Sequence, residues 1–362
     1  MTKRITVGMP LYRGRDQVAD GLRALQAQTF SDFEVIISVD GADEDRAQAC
    51  RPFLTDDRFR VVVHPQRLDW FGNFNWLLQQ PIGDFFCYRQ HDDTTAPEFF
   101  EKLIAVAEAR PDAAAVYADC QWHGGRSDLE IAPSIEGDTL ARLRQFIEQK
   151  EPVAVRGLIR RDAIVQAGLV RSDEFRALSE IFVWLAKVLR WGSFVRVPEP
   201  LYYRLDHAEN YHKQWFDWPD ERKRASWTTM FTGWLEAVVP ACSSPEERLF
   251  FEHFILDRIS VQRPGQTYHH TPDSPHESGV ILAECFERLS REGHLDHWIM
   301  PEALAGHTTG PLREEVDRLL RENEARVQEN EALAAENALL RRSRALAITR
   351  AVRRLLGLPH VE

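Results

Sequence analysis

The sequence predicts an α/β protein: an open, largely parallel sheet built from βαβ units, then a helical region, then a C-terminal coiled coil. Three observations carry this expectation. Short β-branched or aromatic runs alternate with helix-period segments from Ile5 to about Asp119. From Gln214 to about Leu304 the period is helical and tryptophan-rich, without a strand pattern. Beyond Pro311, leucines recur at heptad spacing. The divisions expected are therefore 1–213, 214–305, 306–340 and 341–362.

In chain order, strands are expected at 5–9, 33–39, 59–63, 84–88 and 113–117, with helices around 17–27, 45–54, 74–79 and 98–109. Thr95-Ala96-Pro97-Glu98 reads as a capping box with proline in the first turn, which starts a helix right after Asp93. A second block, 152–204, holds a strand at 155–159, a helix at 173–191 and an extended segment at 193–203. Pro198 and Pro200 in that last segment favour an edge strand or a loop. The Pro/His/Ser stretch at 263–278 reads as a long loop, and the spacing of His269, His270 and His276 fits no standard zinc site.

Composition narrows the function. Of the 362 residues, 44% are hydrophobic and 28% charged, which excludes disorder as the dominant state. A formal charge of -11 argues against a surface made to bind a polyanion, so nucleic acid is not an expected partner. Five cysteines, odd in number and never in a C-x-x-C pair, suggest reduced thiols in a cytoplasmic setting. The apolar part of the first residues is too short for a signal peptide and no run has the length of a membrane span, so a cytoplasmic location is expected.

In an open α/β sheet, ligands bind beyond the carboxyl ends of the parallel strands. The first expected strand is followed by Pro10-Leu11-Tyr12-Arg13, the second by Asp40-Gly41-Ala42-Asp43, and the fourth by Gln90-His91-Asp92-Asp93. There is neither a G-x-G-x-x-G turn nor a G-x-x-x-x-G-K-[ST] loop, which disfavours dinucleotide oxidoreductases and phosphate-loop nucleotidases. Adjacent carboxylates at a strand end suit Mg²⁺ or Mn²⁺, whose shell a nucleoside diphosphate and water would complete. Taken alone, Asp92 and Asp93 read more simply as turn residues facing the positive end of the next helix.

They do not stand alone. Ile5 to Tyr12, Leu22 to Leu25, Gln28 to Ile37, Asp40-Gly41, Gly72-Asn73-Phe74-Asn75, Gly83 to Phe86, and His91-Asp92-Asp93 with Pro97 together resemble, in order and spacing, the nucleotide-sugar domain of glycosyltransferase family 2, a GT-A (Rossmann-like) fold. The resemblance covers about the first 210 residues. It implies an inverting, metal-dependent transfer of a sugar from a nucleotide-sugar donor. Pro10 and Tyr12 would floor the nucleotide pocket, Asp40 would accept from the base, Asn75 and Arg204 would join the donor site, and Asp92 and Asp93 would lie by the ribose and the metal-bound diphosphate. Gln90 stands where many relatives have the first Asp of D-x-D, and Val39 replaces the first Asp of Asp-Asp-Gly-Ser.

An inverting transfer needs a base for the attacking hydroxyl. The resemblance assigns it to Glu180, in Ser179-Glu180-Ile181-Phe182-Val183-Trp184-Leu185, in place of a shorter Asp. Without the resemblance, Glu180 reads as a solvated glutamate sharing a helical face with Arg176 and Lys187. Arg204 and His207 resemble the Arg-x-x-His loop that closes over the diphosphate, with His207 a metal or phosphate ligand. Within the enzyme class, a nucleotidyltransferase lacks its glycine-rich, lysine-bearing loop here; the alternative of another class is a degenerate scaffold acting through its coiled coil.

Leu312, Leu319, Leu333 and Leu340 fall at d, where Arg326 is the one discordant residue, with Val316, Asn323, Asn330 and Asn337 at a; asparagine at a favours a parallel two-stranded pair over a single helix folded against the body. Past it, Arg341, Arg342, Arg344, Arg350, Arg353 and Arg354 face away from Ile348, Val352 and Leu355, a pattern that fits an anionic membrane surface. A glycan or lipid-linked acceptor in surface polysaccharide synthesis matches that placement. Truncation after Leu304 is expected to turn a dimer into a monomer by light scattering; a monomeric full-length chain at micromolar concentration refutes the pairing.

Overall fold

The computed structural model describes residues 3–12, 17–171, 179–207 and 218–260, with Arg288 and Arg291. The expected loop at 263–278, the coiled coil and the basic tail lie outside the described residues. The described residues from 3 to 260 belong to one compact unit.

The strands β1 (Ile5–Leu11), β2 (Phe33–Val39), β3 (Phe59–Val63) and β4 (Phe85–Tyr88) are parallel, in the order β3-β2-β1-β4. β1 is apolar and buried along nearly its whole length, as a strand covered on both faces must be. Between the strands run α1 (Val18–Gln26), α2 (Glu44–Cys50) and α3 (Asp69–Leu78). Pro10 is tolerated inside β1 because the β4 ladder stops at Gly8 opposite Tyr88, so no N–H is called for on that side.

The remaining strands are β5 (Thr94–Thr95), β6 (Ala113–Gly124), β7 (Leu129–Glu130), β8 (Leu158–Arg160) and β9 (Ser193–Asp206). They continue the sheet as β4-β8-β6-β9-β5, with β7 on β6. β8 is antiparallel to both neighbours, whereas β9 runs parallel to β6 from Ser193 opposite Ala113 to Asp206 opposite Gly124. The expected edge strand or loop is a strand: residues 193–206 form the longest strand of the described chain, paired with β6 along its length and with β5 only at Tyr202 and Tyr203, so Pro198 and Pro200 stand on its open side. On the β6 side the register jumps from Ala118 opposite Val197 to Asp119 opposite Pro200, which leaves Pro198 and Glu199 in a bulge.

The capping box is a second correction. α4 (Phe99–Ala109) begins after Glu98, without a side-chain cap, and Thr95 lies in β5. Buried Gln28 does the capping from outside: its Oε1 accepts from the Phe100 N–H at 3.1 Å, and its Nε2 lies 2.7 Å from the Ala96 carbonyl and 3.2 Å from Thr95 Oγ1. The expected strand at 155–159 is a 3-10 turn over Val153–Arg156 followed by β8, and α5 (Thr139–Gln149) and α6 (Arg161–Ala167) were not anticipated.

From the helix expected at 173–191, α7 (Ser179–Leu189) is described, and Asp173 and Glu174 lie outside the described residues. α8 (Asp220–Val238) and α9 (Pro245–Ser260) follow, and no strand occurs among the described residues there. α7 and α8 touch closely: a Cβ on Gly233 would lie 2.4 Å from the Val183 side chain, and the Ser179 and Ser226 hydroxyls are 2.8 Å apart. Trp184 packs edge-on to Phe74 at 5.4 Å and donates to the Gly168 carbonyl, which ties α7 to α3.

Gln28→Ala is expected to destabilise the protein by about 2–3 kcal/mol in urea denaturation, because it leaves buried backbone groups at the start of α4 without partners. A loss below about 0.5 kcal/mol would show that water replaces the amide.

Candidate active site

The carboxyl ends of β1, β2 and β4 open on one edge of the sheet, and the expected residues gather there. Asp40 follows β2 and is 5% exposed. Its Oδ1 accepts from the Leu68 N–H at 2.5 Å, and Arg67 Nε is 3.8 Å from Oδ2. Gly41 next to it has φ +87°, a left-handed value that glycine adopts without strain. Tyr12, just past β1, has the Arg67 guanidinium over its ring at 4.1 Å and that of Arg46 at 5.6 Å. Asp69 holds Arg67 at 3.0 Å and itself takes φ +62°, uncommon outside glycine. An aromatic side, an inward-facing carboxylate and a guanidinium thus surround the edge beyond Pro10.

Behind Asp40, Asn73 donates to the Ser38 carbonyl and the Ser38 hydroxyl meets His64 Nε2 at 2.8 Å. Burial holds the His64 imidazole below the ordinary histidine value, so this group is neutral packing. Asn75, expected at the donor, instead bonds the Val170 main chain through both ends of its amide: Nδ2 donates at 2.7 Å and Oδ1 accepts at 2.9 Å.

At the end of β4 the two aspartates face different ways. Asp92 Oδ2 lies 2.9 Å from His207 Nε2, just past the end of β9. Asp93 is 2% exposed; Tyr202 donates to its Oδ2 at 2.7 Å and the Leu205 N–H to its Oδ1 at 3.3 Å. Burial and the neighbouring Asp92 push the Asp93 carboxyl above its ordinary value, against the opposing pull of Arg156 and Arg204. Burial likewise holds His91 below the ordinary histidine value. α1 reaches this turn through Gly21, where a Cβ would lie 2.8 Å from the His91 carbonyl oxygen. The simple reading of the pair as helix-end complements does not hold, because α4 starts six residues beyond Asp93.

Arg204 is paired inside the fold. It donates to Glu130 Oε2 at 2.6 Å and lies 3.7 Å over the Trp122 ring, while the Trp122 indole also donates to Glu130. Burial alone would raise the Glu130 carboxyl, but Arg204 and Arg156 bring it below its ordinary value. Glu180, in the first turn of α7, is fully buried and 3.6 Å from Arg171 Nε. Arg171 also forms a two-pronged pair with Glu236, which Lys187 approaches at 3.5 Å. The reading of Glu180 as a solvated surface glutamate is therefore overturned.

Among the described residues, no group of three or more His, Cys, Asp and Glu side chains is arranged to hold a metal. Asp92 and His207 make a pair, which fits a cation that takes the rest of its shell from water and phosphate. Sequence reasoning missed Arg67, Arg89, Arg156 and Glu130. Arg89 and Arg156 carried a signal, since each interrupts or ends an apolar run and is buried.

The model of glycosyl transferase family 2 matches residues 6–165 of this chain. An uncharacterized glycosyltransferase of Haemophilus influenzae is 25% identical over 209 residues, which cover 57% of this chain and 69% of the relative. The crystal structure of S. aureus TarS 1–349 superposes with a TM-score of 0.56 at 14% identity over 71% of each chain. The same protein in complex with UDP-GlcNAc gives 0.53 at 14% identity, over 81% of this chain and 92% of that one. At these identities the structures establish a shared fold. Asn75→Ala is expected to lower stability by about 2 kcal/mol in chemical denaturation, since it strands the Val170 N–H and carbonyl; an unchanged midpoint would return Asn75 to the ligand side.

Proposed function

We propose that this chain, a family 2 glycosyltransferase, transfers a sugar with inversion from a nucleotide-sugar donor to a hydroxyl of a glycan or lipid-linked acceptor, with a divalent metal at the diphosphate. The observation that carries the metal reading is the pair formed by Asp92 and His207, 115 residues apart in sequence and 2.9 Å apart at the strand ends. Mn²⁺ or Mg²⁺, when bound there, supplies charge neutralisation for the leaving diphosphate.

The chain's own residues do the rest. Tyr12, backed by Arg67, offers a face for the nucleobase, and the Asp40 carboxylate, anchored by the Leu68 N–H, is positioned to accept a base N–H. Pro10 lies at the floor of that pocket. Arg204 joins the diphosphate end of the donor site by adding positive charge beside Asp93 and Glu130. Glu180 is the base, its carboxyl lying 3.6 Å from Arg171 Nε in the first turn of α7. Full burial makes its exposure to the acceptor depend on a shift of α7.

No helix among the described residues is long and apolar enough to cross a membrane. In this reading the enzyme works at the cytoplasmic face of the membrane in surface polysaccharide synthesis, held by its basic tail and paired through the coiled coil.

The test is nucleoside diphosphate release from a panel of UDP- and GDP-sugars with and without Mn²⁺. Asp92→Ala is expected to abolish release, and Glu180→Gln to lower turnover by about 10²–10⁴-fold while leaving donor affinity close to wild type. Wild-type turnover in Glu180→Gln would move the base to a nearby acid such as Asp173 or Glu174. No release with any donor would favour the scaffold alternative.

A further inference from the structure

We infer that Asp93 is a positioning residue whose buried carboxylate fastens the end of β9, so that His207 reaches Asp92, and that it is not itself a ligand of the cation. The inference rests on the reading of Asp92 and His207 as the cation pair. Oxygen accounting is its first support: Oδ2 takes the Tyr202 hydroxyl at 2.7 Å and Oδ1 the Leu205 N–H at 3.3 Å, on a side chain only 3% exposed. Arg156 Nε stands 4.0 Å from the same Oδ2. Coordination by Asp93 would require it to turn away from two donors and a buried cation at once, each left without its acceptor.

The second support is what those donors belong to. Tyr202 and Leu205 are both in β9, and His207 follows Leu205 by two residues. Thr94 and Thr95, next to Asp93 in sequence, pair with Tyr203 and Tyr202 as the short antiparallel ladder β5·β9. Arg89 closes the same clasp, donating to the Asp93 carbonyl at 3.1 Å and lying 4.7 Å over the Tyr202 ring. One side of the turn at residues 90–93 is thereby bonded to β9 through main chain and side chain, while Asp92, on the other side, meets His207. Removing the Asp93 carboxylate leaves a hydroxyl and an N–H to find other partners, and the strand end that carries His207 shifts as they do.

The experiment uses the full chain labelled with ¹³C-histidine, the His207 ring signals being identified by their absence in His207→Gln. Ring shifts are read without metal, and Mn²⁺ half-saturation is read by electron paramagnetic resonance in the presence of UDP. Tyr202→Phe, which deletes one of the two donors, is expected to move the His207 signals and weaken Mn²⁺ binding about tenfold. Asp93→Ala should do both more strongly, and Asp93→Asn, which keeps an acceptor for Leu205, should be partly rescued. Wild-type His207 signals and Mn²⁺ binding in Tyr202→Phe overturn the inference, as does an Asp93→Asn chain as impaired as Asp93→Ala. If Asp93→Ala does not fold, Tyr202→Phe decides. If the wild-type chain binds no Mn²⁺ with UDP, the metal reading fails on its own, and the metal-free His207 signals still decide whether Asp93 positions them.

Discussion

The site depends on β9 running parallel to β6 over its full length and then being caught, at its far end, by a buried carboxylate. That ladder delivers Tyr202, Arg204 and His207 to the turn after β4, across more than a hundred residues of chain. Without it the parallel half of the sheet, β3-β2-β1-β4, would still form the edge at Tyr12 and Asp40, but Asp92 would lack its imidazole partner. The bulge at Pro198 and Glu199 is part of the same constraint, because it sets which β9 side chains face the Asp93 turn.

A buried charge costs several kcal/mol unless opposite charge and hydrogen bonds surround it. The interior behind the turn meets this condition with side chains drawn from five places: Arg89 after β4, Asp93 in the turn, Glu130 in β7, Arg156 before β8 and Arg204 in β9. No element could keep its charge there alone. The cluster therefore couples the strands on either side of β8, and the positive members lend the nearby edge a field suited to an anionic donor. Cys87 and Cys120, sealed in this region, have thiols pushed up to about 12 by burial and act as apolar filler.

On the helical side, α7 is held by Trp184 against Phe74 and by the close approach of Gly233 to Val183. Those contacts bury the whole first turn of α7, Glu180 included, and bring Arg171 and Glu236 into one network with it. The Glu180 carboxyl is thereby kept under cover beside the Arg171 guanidinium.

The sequence by itself determined the first four strands, the helices between them and the strand-end positions of Tyr12, Asp40 and Asp92, because hydrophobic period and turn residues act over a few residues and need no distant partner. It also carried, through its motifs, the resemblance to glycosyltransferase family 2. Tertiary structure decided the rest. Pro198 and Pro200 argue locally for an edge or a loop, and β9 carries them where β6 alone pairs with it among the described strands, yet the strand runs on past them because a bulge takes up Pro198 and β5 joins it only at Tyr202 and Tyr203. Thr95 and Glu98 spelled a cap, yet Gln28, seventy residues earlier, outcompetes them from a buried position. Asn75 and Arg204 have the chemistry of ligands, and only the fold shows that Asn75 also bonds the Val170 main chain and that Arg204 also pairs with Glu130. Which of two adjacent aspartates turns outward is decided by where Tyr202, Leu205 and His207 arrive, and local pattern holds no information about a partner whose position is set by strand register more than a hundred residues away.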